Sequence, residues 1–153
     1  MIKIEITDLK ALFEFATKFI PILKSKPLIF LEGDLGSGKT TFVRLLLESL
    51  GYNDVVPSPT FNLMNLYNVR DYKICHCDIF RLTSSNELFN LAIEDLIGDN
   101  IVIVEWPDLL KKIIHHDYIN ISFELNNKNE RHIVVTTTNP CNLNLLKQIY
   151  LDS

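Results

Sequence analysis

The apolar positions of this chain change period several times, and each change marks a new element. "IKIEI" at 2–6 alternates apolar with charged residues, the two-residue repeat of a strand with one buried face. From Asp8 the repeat lengthens. Leu9, Leu12, Phe13, Ala16, Phe19, Ile20 and Leu23 recur at helical spacing, with Thr7 or Asp8 placed to cap and Pro21 and Pro27 limiting the far end. "LIFLE" at 28–32 is an unbroken apolar run, as expected of a strand buried on both faces. A helix is predicted over 39–50, closed by Gly51.

"FNLMNLY" and "YKICHCDIF" read as strands joined at "NVRD" in a hairpin. "SSNELFNLAIEDLIG" predicts a helix capped by Ser84 or Ser85, and "IVIVE" a further buried strand. "PDLLKKII" predicts a short helix with proline at its start. "YINISFEL" and "RHIVVTTT" alternate across the polar "NNKNE", a second hairpin, and "NLNLLKQIY" reads as a closing helix. No repeat, low-complexity tract or linker interrupts the series, so residues 1–153 are expected to form one domain. Helices interleaved with buried strands predict an α/β fold, and the hairpins make its sheet mixed.

Composition excludes some partners. A net charge of −4 argues against a basic face that grips nucleic acid directly, while leaving it within reach through another protein. No apolar run approaches the roughly 18 residues that span a membrane, and "MIKIEITDLK" lacks the features of a signal peptide, so a cytoplasmic protein is expected. Three cysteines are too few for a disulfide framework. In "CHCD" at 75–78, strand alternation puts Cys75 and Cys77 on one face and His76 and Asp78 on the other. Two buried cysteines fit that pattern better than a metal site.

Candidate chemistry centres on "GDLGSGKT" at 33–40, which matches G-x-x-x-x-G-K-[ST] without a mismatch. Glycines let successive backbone N–H groups turn inward toward phosphate oxygens, and a helix beginning near Lys39 adds its positive end. Lys39 is expected to reach the β- and γ-phosphates, and the Thr40 hydroxyl to ligate Mg²⁺. A buried strand before the loop and a helix after it supply the context that separates this pattern from a chance glycine-rich turn. Phosphate chemistry also needs carboxylates near the metal. "ICHCD" and "IVIVE" end in Asp78 and Glu105, and ligands of open α/β sheets lie beyond such strand ends.

Other residues carry weaker signals. Thr60, held between Pro59 and Phe61 in the stiff "PSPTF", is either a turn threonine or a hydroxyl that senses the γ-phosphate. Trp106 is expected to pack in the core and Arg81 to pair with a carboxylate. "NKNE" at 127–130 mimics a guanine-reading motif but has glutamate for its aspartate, and it lies where hairpin residues are ordinary.

Taken in order, "EGDLGSGKTTFVR", "SPTFNLMNLY", "HCDIFRL" and "IVEWPD" resemble the four signature blocks of the TsaE family, small bacterial P-loop ATPases of tRNA threonylcarbamoyladenosine biosynthesis. The resemblance runs from about residue 29 to 108 and more loosely to both ends. It implies a P-loop NTPase-like three-layer fold with a mixed, mainly parallel central sheet. It implies ATP or ADP with Mg²⁺, slow hydrolysis alone, and action with TsaB and TsaD on the tRNA adenosine adjacent to the anticodon. TsaD would carry out the transfer, and the ATPase would let the complex turn over.

By the same resemblance, Gly36, Ser37, Gly38, Lys39, Thr40 and Thr41 would line the phosphates. Thr60 and Asp78 would belong to the catalytic and switch apparatus, Glu105 would sit at the metal, and Trp106 would flank the site. Thr7 and Arg131 resemble outer nucleotide contacts. Phe80 stands where the family usually has tyrosine. Two other classes fit a phosphate loop: a small-molecule kinase, which usually adds an arginine-bearing lid, and a nucleotide-gated interaction module. Arg44, Arg70, Arg81 and Arg131 form no cluster in the sequence. Between Asp78 and Glu105, the residue that orients the attacking water stays open.

Overall fold

The computed structural model describes residues 1–152. The chain opens with strand β1 (Ile2–Glu5) and helix α1 (Leu9–Phe19), which a short 3-10 stretch (Ile20–Ser25) extends. Of the two expected caps, Asp8 does the work: its side chain accepts from the Ala11 N–H at 2.8 Å. Strand β2 (Leu28–Glu32) then leads through the glycine-rich loop into helix α2 (Lys39–Ser49). Gly51 follows α2 in a left-handed conformation, φ 95°, and its N–H closes onto the Glu48 carbonyl, the turn anticipated at the helix end.

The first hairpin is β3 (Met64–Val69) and β4 (Tyr72–Asp78), the second β6 (Tyr118–Leu125) and β7 (Arg131–Thr137), both antiparallel. Strand β3 starts three residues later than its apolar pattern suggests, because Phe61–Leu63 belong to a turn in which the Leu63 N–H meets the Pro59 carbonyl. Between the hairpins lie α3 (Ser85–Asn90), α4 (Ile93–Leu96), strand β5 (Ile101–Glu105) and α5 (Asp108–Lys111). Helix α6 (Pro140–Tyr150) closes the chain.

The single helix predicted after Ser84 is two. Ser84 and Glu87 form a reciprocal capping box at its start, but Ala92 turns left-handed, φ 50°, and breaks it. Packing supplies the reason. Leu88 and Ile93 are both 2% exposed. On one continuous helix, residues five apart would point about 140° away from each other. The break lets both face the sheet.

Seven strands form one sheet in the order β1-β7-β6-β2-β5-β4-β3. The central four, β6, β2, β5 and β4, run parallel, while both edges pair antiparallel. The fold is therefore α/β with a mixed sheet whose parallel part is central. Alternate strand residues feed two cores. Ile29, Leu31, Ile74 and Ile103 join Phe15, Phe42 and Leu146 from α1, α2 and α6 on one face. Leu28, Phe30, Cys75 and Cys77 join Leu88, Ile93 and Leu110 from α3, α4 and α5 on the other. The cysteine sulfurs lie 3.5 Å apart, both buried, as strand alternation implies.

Helix α2 is seated through Phe42, which no solvent reaches and whose ring lies 5.5 Å from Phe15, 6.0 Å from Phe19 and 6.2 Å from Phe123. Phe42→Ala leaves a cavity among three rings, and is expected to cost about 3–5 kcal/mol. Urea unfolding followed by circular dichroism checks it; a midpoint within error of the parent would mean that α2 is held elsewhere.

Candidate functional site

The site begins with the turn after β2. At Gly33, φ 143°, an added Cβ would lie 2.6 Å from Ser37 Oγ and 2.8 Å from the Phe123 carbonyl, so glycine is required for both backbone shape and space. At Gly38, φ 117°, glycine occupies the cap of α2, and no side chain there accepts from the first turn. The first amides of α2 are left facing outward with the positive end of the helix, the arrangement that attracts anions.

Lys39 folds back over this loop. Its ammonium donates to the Gly33 carbonyl at 2.6 Å and the Asp34 carbonyl at 3.0 Å, and lies 4.1 Å from the centre of the Trp106 ring. Burial holds the Lys39 pKa below the usual lysine range, although Glu105, Asp78 and Asp34 pull it the other way. Trp106 tilts against Phe80, ring centres 4.7 Å apart, and is half-buried beside the site rather than deep in the core.

The carboxylates arrive by strand register. In the parallel pair β4–β5, Asp78 lies opposite Glu105. Ile74 and Ile103 face the core under α2, so by two-residue alternation His76, Asp78 and Glu105 point to that same side. Both acids are nearly buried, at 5% and 3% exposure. Glu105 Oε1 accepts from the Thr40 hydroxyl at 2.8 Å and contacts His76 Nε2 at 2.8 Å. Asp78 Oδ2 accepts from the Thr60 hydroxyl at 3.0 Å, and Thr60 shares a 2.7 Å hydrogen bond with Ser58. Asp78 Oδ1 accepts from the Phe80 N–H at 3.0 Å. One cavity of about 170 Å³ is lined by the loop with Ser58, Thr60, Asp78, Glu105 and Trp106.

Two bulky residues at this site hold left-handed backbone: Leu63 at φ 64° and Trp106 at φ 57°. The Leu63 carbonyl accepts the Asp78 N–H at 3.0 Å, and the Trp106 N–H reaches the Leu31 carbonyl at 3.3 Å. Such strain gathers where a functional geometry is fixed by its surroundings.

A second, larger cavity of about 1050 Å³ opens on the other side of the loop, between α1 and the β6–β7 hairpin. Thr7 and Arg131 line it with Gly36, Ser37, Gly38 and Thr41. Thus the phosphate-loop residues, Thr60, Asp78, Glu105 and Trp106 meet in one cavity. Thr7 and Arg131, far apart in sequence, meet the same loop in the other. Asn129 and Glu130 of "NKNE" also border the larger cavity, within a hairpin turn where Glu130 accepts from the Asn126 side chain at 2.6 Å. Arg81 differs from expectation: it is exposed, lies 4.6 Å over the Phe61 ring and forms no ion pair among the described residues.

Two clusters were not evident from sequence. His76 is fully buried against Glu105; its signals were a polar residue on Asp78's face of an apolar run and its place at the head of the "HCDIFRL" block, neither of which points to Glu105. On the opposite face Glu32, just before the loop, is held by Lys111, by Asn120 at 2.7 Å and by Ser122 at 3.3 Å. Burial pushes the Glu32 carboxyl up, but these donors and the Lys111 charge outweigh it and leave the pKa lowered. The partners come from strands and helices too distant in sequence for any spacing to flag them.

The donor set suits a nucleotide with a divalent cation. Two nearly buried carboxylates face a single buried ammonium, an imbalance that costs free energy unless more positive charge joins them. Ser37 Oγ is buried inside the loop without a hydrogen-bond partner among the described residues, a polar atom that a bound group could satisfy.

Known proteins resemble the chain over most of its length. The family model "Threonylcarbamoyl adenosine biosynthesis protein TsaE" matches residues 6–133. Proteins named tRNA threonylcarbamoyladenosine biosynthesis protein TsaE are similar in Rickettsia bellii, at 34% identity over 80% of this chain and 85% of that protein, and in Borreliella burgdorferi, at 32% over 80% and 90%. Among solved structures, YdiB of Bacillus subtilis superposes with a TM-score of 0.70 at 26% identity, covering 97% of this chain and 93% of its own.

Proposed function

The chain belongs to the TsaE family of tRNA threonylcarbamoyladenosine biosynthesis, and from that premise we propose that it is an ATPase that lets the TsaB–TsaD complex turn over as it modifies the adenosine next to the anticodon. The observation that carries this reading is the Thr40–Glu105 hydrogen bond across the mouth of the phosphate loop, with Asp78 in register beside it. It joins the loop's hydroxyl to the sheet's carboxylates, the pair of groups that Mg²⁺-dependent phosphoryl transfer needs.

In this reading the amides from Gly36 to Thr41 and the Lys39 ammonium would bind the phosphates, and Thr40 and Glu105 would hold Mg²⁺. A bound Mg²⁺–ATP supplies the phosphoanhydride bond and the positive charge that offsets its oxygens. Lys39 would have to leave the Gly33 and Asp34 carbonyls, a swing that its flexible stem permits. Asp78 or Glu105 would orient the water. Thr7 and Arg131 would border the outer part of the nucleotide.

Hydrolysis coupled to a partner, rather than transfer to a small acceptor, is favoured by the arginines. Of Arg44, Arg70, Arg81 and Arg131, only Arg131 borders either cavity, and none lines the small one where the arginines of a kinase lid would be needed. Thr60 offers the coupling. Its hydroxyl bonds Asp78 inside, while its neighbour Phe61 is 82% exposed. A γ-phosphate that engaged Thr60 would move an exposed aromatic, and a partner preferring one state would shift the balance by its differential affinity. A net charge of −4 suits a chain that meets tRNA indirectly, through its partners in the cytoplasm. No helix among the described residues is long and apolar enough to cross a membrane.

Lys39→Ala is expected to lower ATP affinity at least about tenfold, roughly 1.4 kcal/mol, by removing a charge-assisted contact. Calorimetric titration with unchanged affinity would defeat the phosphate-loop assignment. Glu105→Gln keeps shape and removes charge, and is expected to reduce Mg²⁺-dependent hydrolysis more than nucleotide binding; equal hydrolysis across a magnesium titration rules out its metal role.

The functional reading itself is checked by modified tRNA per complex over time. Adding TsaB and TsaD should raise ATP hydrolysis, and Thr60→Ala and Asp78→Ala should bind nucleotide yet lose repeated turnover while first-turnover modification survives better. If omitting this chain leaves repeated turnover unchanged, the recycling role is wrong, and a substrate-dependent phosphotransfer assay becomes the next test.

A further inference from the structure

His76 is a costly residue where it stands. It is fully buried in the middle of β4, between the buried Cys75 and Cys77 and two positions after the buried Ile74 on the same face. Its Nδ1 is buried without a hydrogen-bond partner among the described residues. An apolar side chain of similar size would avoid that desolvation. Its one hydrogen bond among the described residues is Nε2 to Glu105 Oε1, 2.8 Å. A carboxylate only accepts hydrogen bonds, so Nε2 carries the hydrogen and donates it.

Glu105 Oε1 thus takes two donors, His76 and Thr40, while Oε2 accepts none among the described residues. The two donors differ. Thr40 sits on the loop helix and is itself an expected cation ligand. His76 sits on a neighbouring strand, buried on all sides, and among the described residues its only hydrogen bond is to that carboxylate. The side chain that cannot move therefore fixes the rotation of the one that must be aimed.

We propose that His76 is a positioning residue, holding Oε1 of Glu105 so that Oε2 is presented toward the cation of a bound nucleotide. The proposal rests on the nucleotide reading above. It differs from a packing role in one respect: packing needs the volume of the ring, whereas positioning needs a donor at Nε2. Donors behind metal-binding side chains typically change metal affinity 10–100-fold when lost.

The test uses the full chain with a non-hydrolysable ATP analogue. Mg²⁺ is titrated against the protein–analogue mixture by thermal shift, and analogue binding without Mg²⁺ is measured by calorimetry. His76→Leu is expected to raise the half-maximal Mg²⁺ concentration by about tenfold or more, and to leave metal-free analogue binding unchanged. His76→Gln, whose amide nitrogen can reach the Nε2 position, is expected to return to within about threefold of the parent.

A Leu variant with parental Mg²⁺ dependence overturns the proposal, as does a Gln variant impaired as much as Leu. So does an equal loss of metal-free binding, which would mean general damage to the site. Should His76→Leu not fold, His76→Asn replaces it, polar but one bond too short; equal Mg²⁺ dependence in Asn and Gln variants then refutes positioning. A parent protein whose analogue binding ignores Mg²⁺ overturns the nucleotide reading itself and the proposal with it.

Discussion

Asp78 and Glu105 lie opposite one another because β4 and β5 pair in parallel, with Cys77 against Val104 one step before. That register carries two carboxylates to the edge of an apolar core, side by side and nearly out of water. Bringing such charges together is unfavourable unless something meets them. The neighbouring arrangement answers part of that demand. Thr40 and His76 donate to Glu105, Thr60 and a backbone N–H donate to Asp78, and the Lys39 ammonium lies within the same buried region.

Meeting that constraint fixes other parts of the fold. Helix α2 must present Thr40 to Glu105, so its far side is locked by Phe42 among three rings. The segment before β3 must bring Thr60 to Asp78, and it does so by holding Leu63 in a left-handed turn whose carbonyl caps the Asp78 N–H. Trp106 leaves β5 in the same unfavourable conformation and lays its ring under Lys39. Strain on a leucine and a tryptophan is tolerated because the sheet and two hydrogen bonds over-determine both positions.

The loop divides two cavities with different linings. The small one is lined by carboxylate, hydroxyl and indole groups with the loop and its Lys39. The large one, about 1050 Å³, lies between α1 and the β6–β7 hairpin. Family membership gives this arrangement its biological setting, tRNA threonylcarbamoyladenosine biosynthesis. The exposed Phe61 and Arg81 stack beside the small cavity, where a change at Thr60 would reach the surface first.

The glycine-rich loop between a buried strand and a helix was legible in the sequence because its pattern is local: glycines, a lysine and a hydroxyl at fixed spacing. So were the buried strands, both hairpins and the acids ending "ICHCD" and "IVIVE", since apolar period and strand ends are read along the chain. Thr7 and Arg131 came only from resemblance, and tertiary structure alone brought them to one cavity. It alone broke the helix at Ala92, since the core needs both Leu88 and Ile93. It laid Arg81 on Phe61 instead of a carboxylate, and it set His76 against Glu105 across 29 positions. Periodicity says which face a side chain takes; which atom it meets there depends on register and packing between segments that the sequence keeps apart.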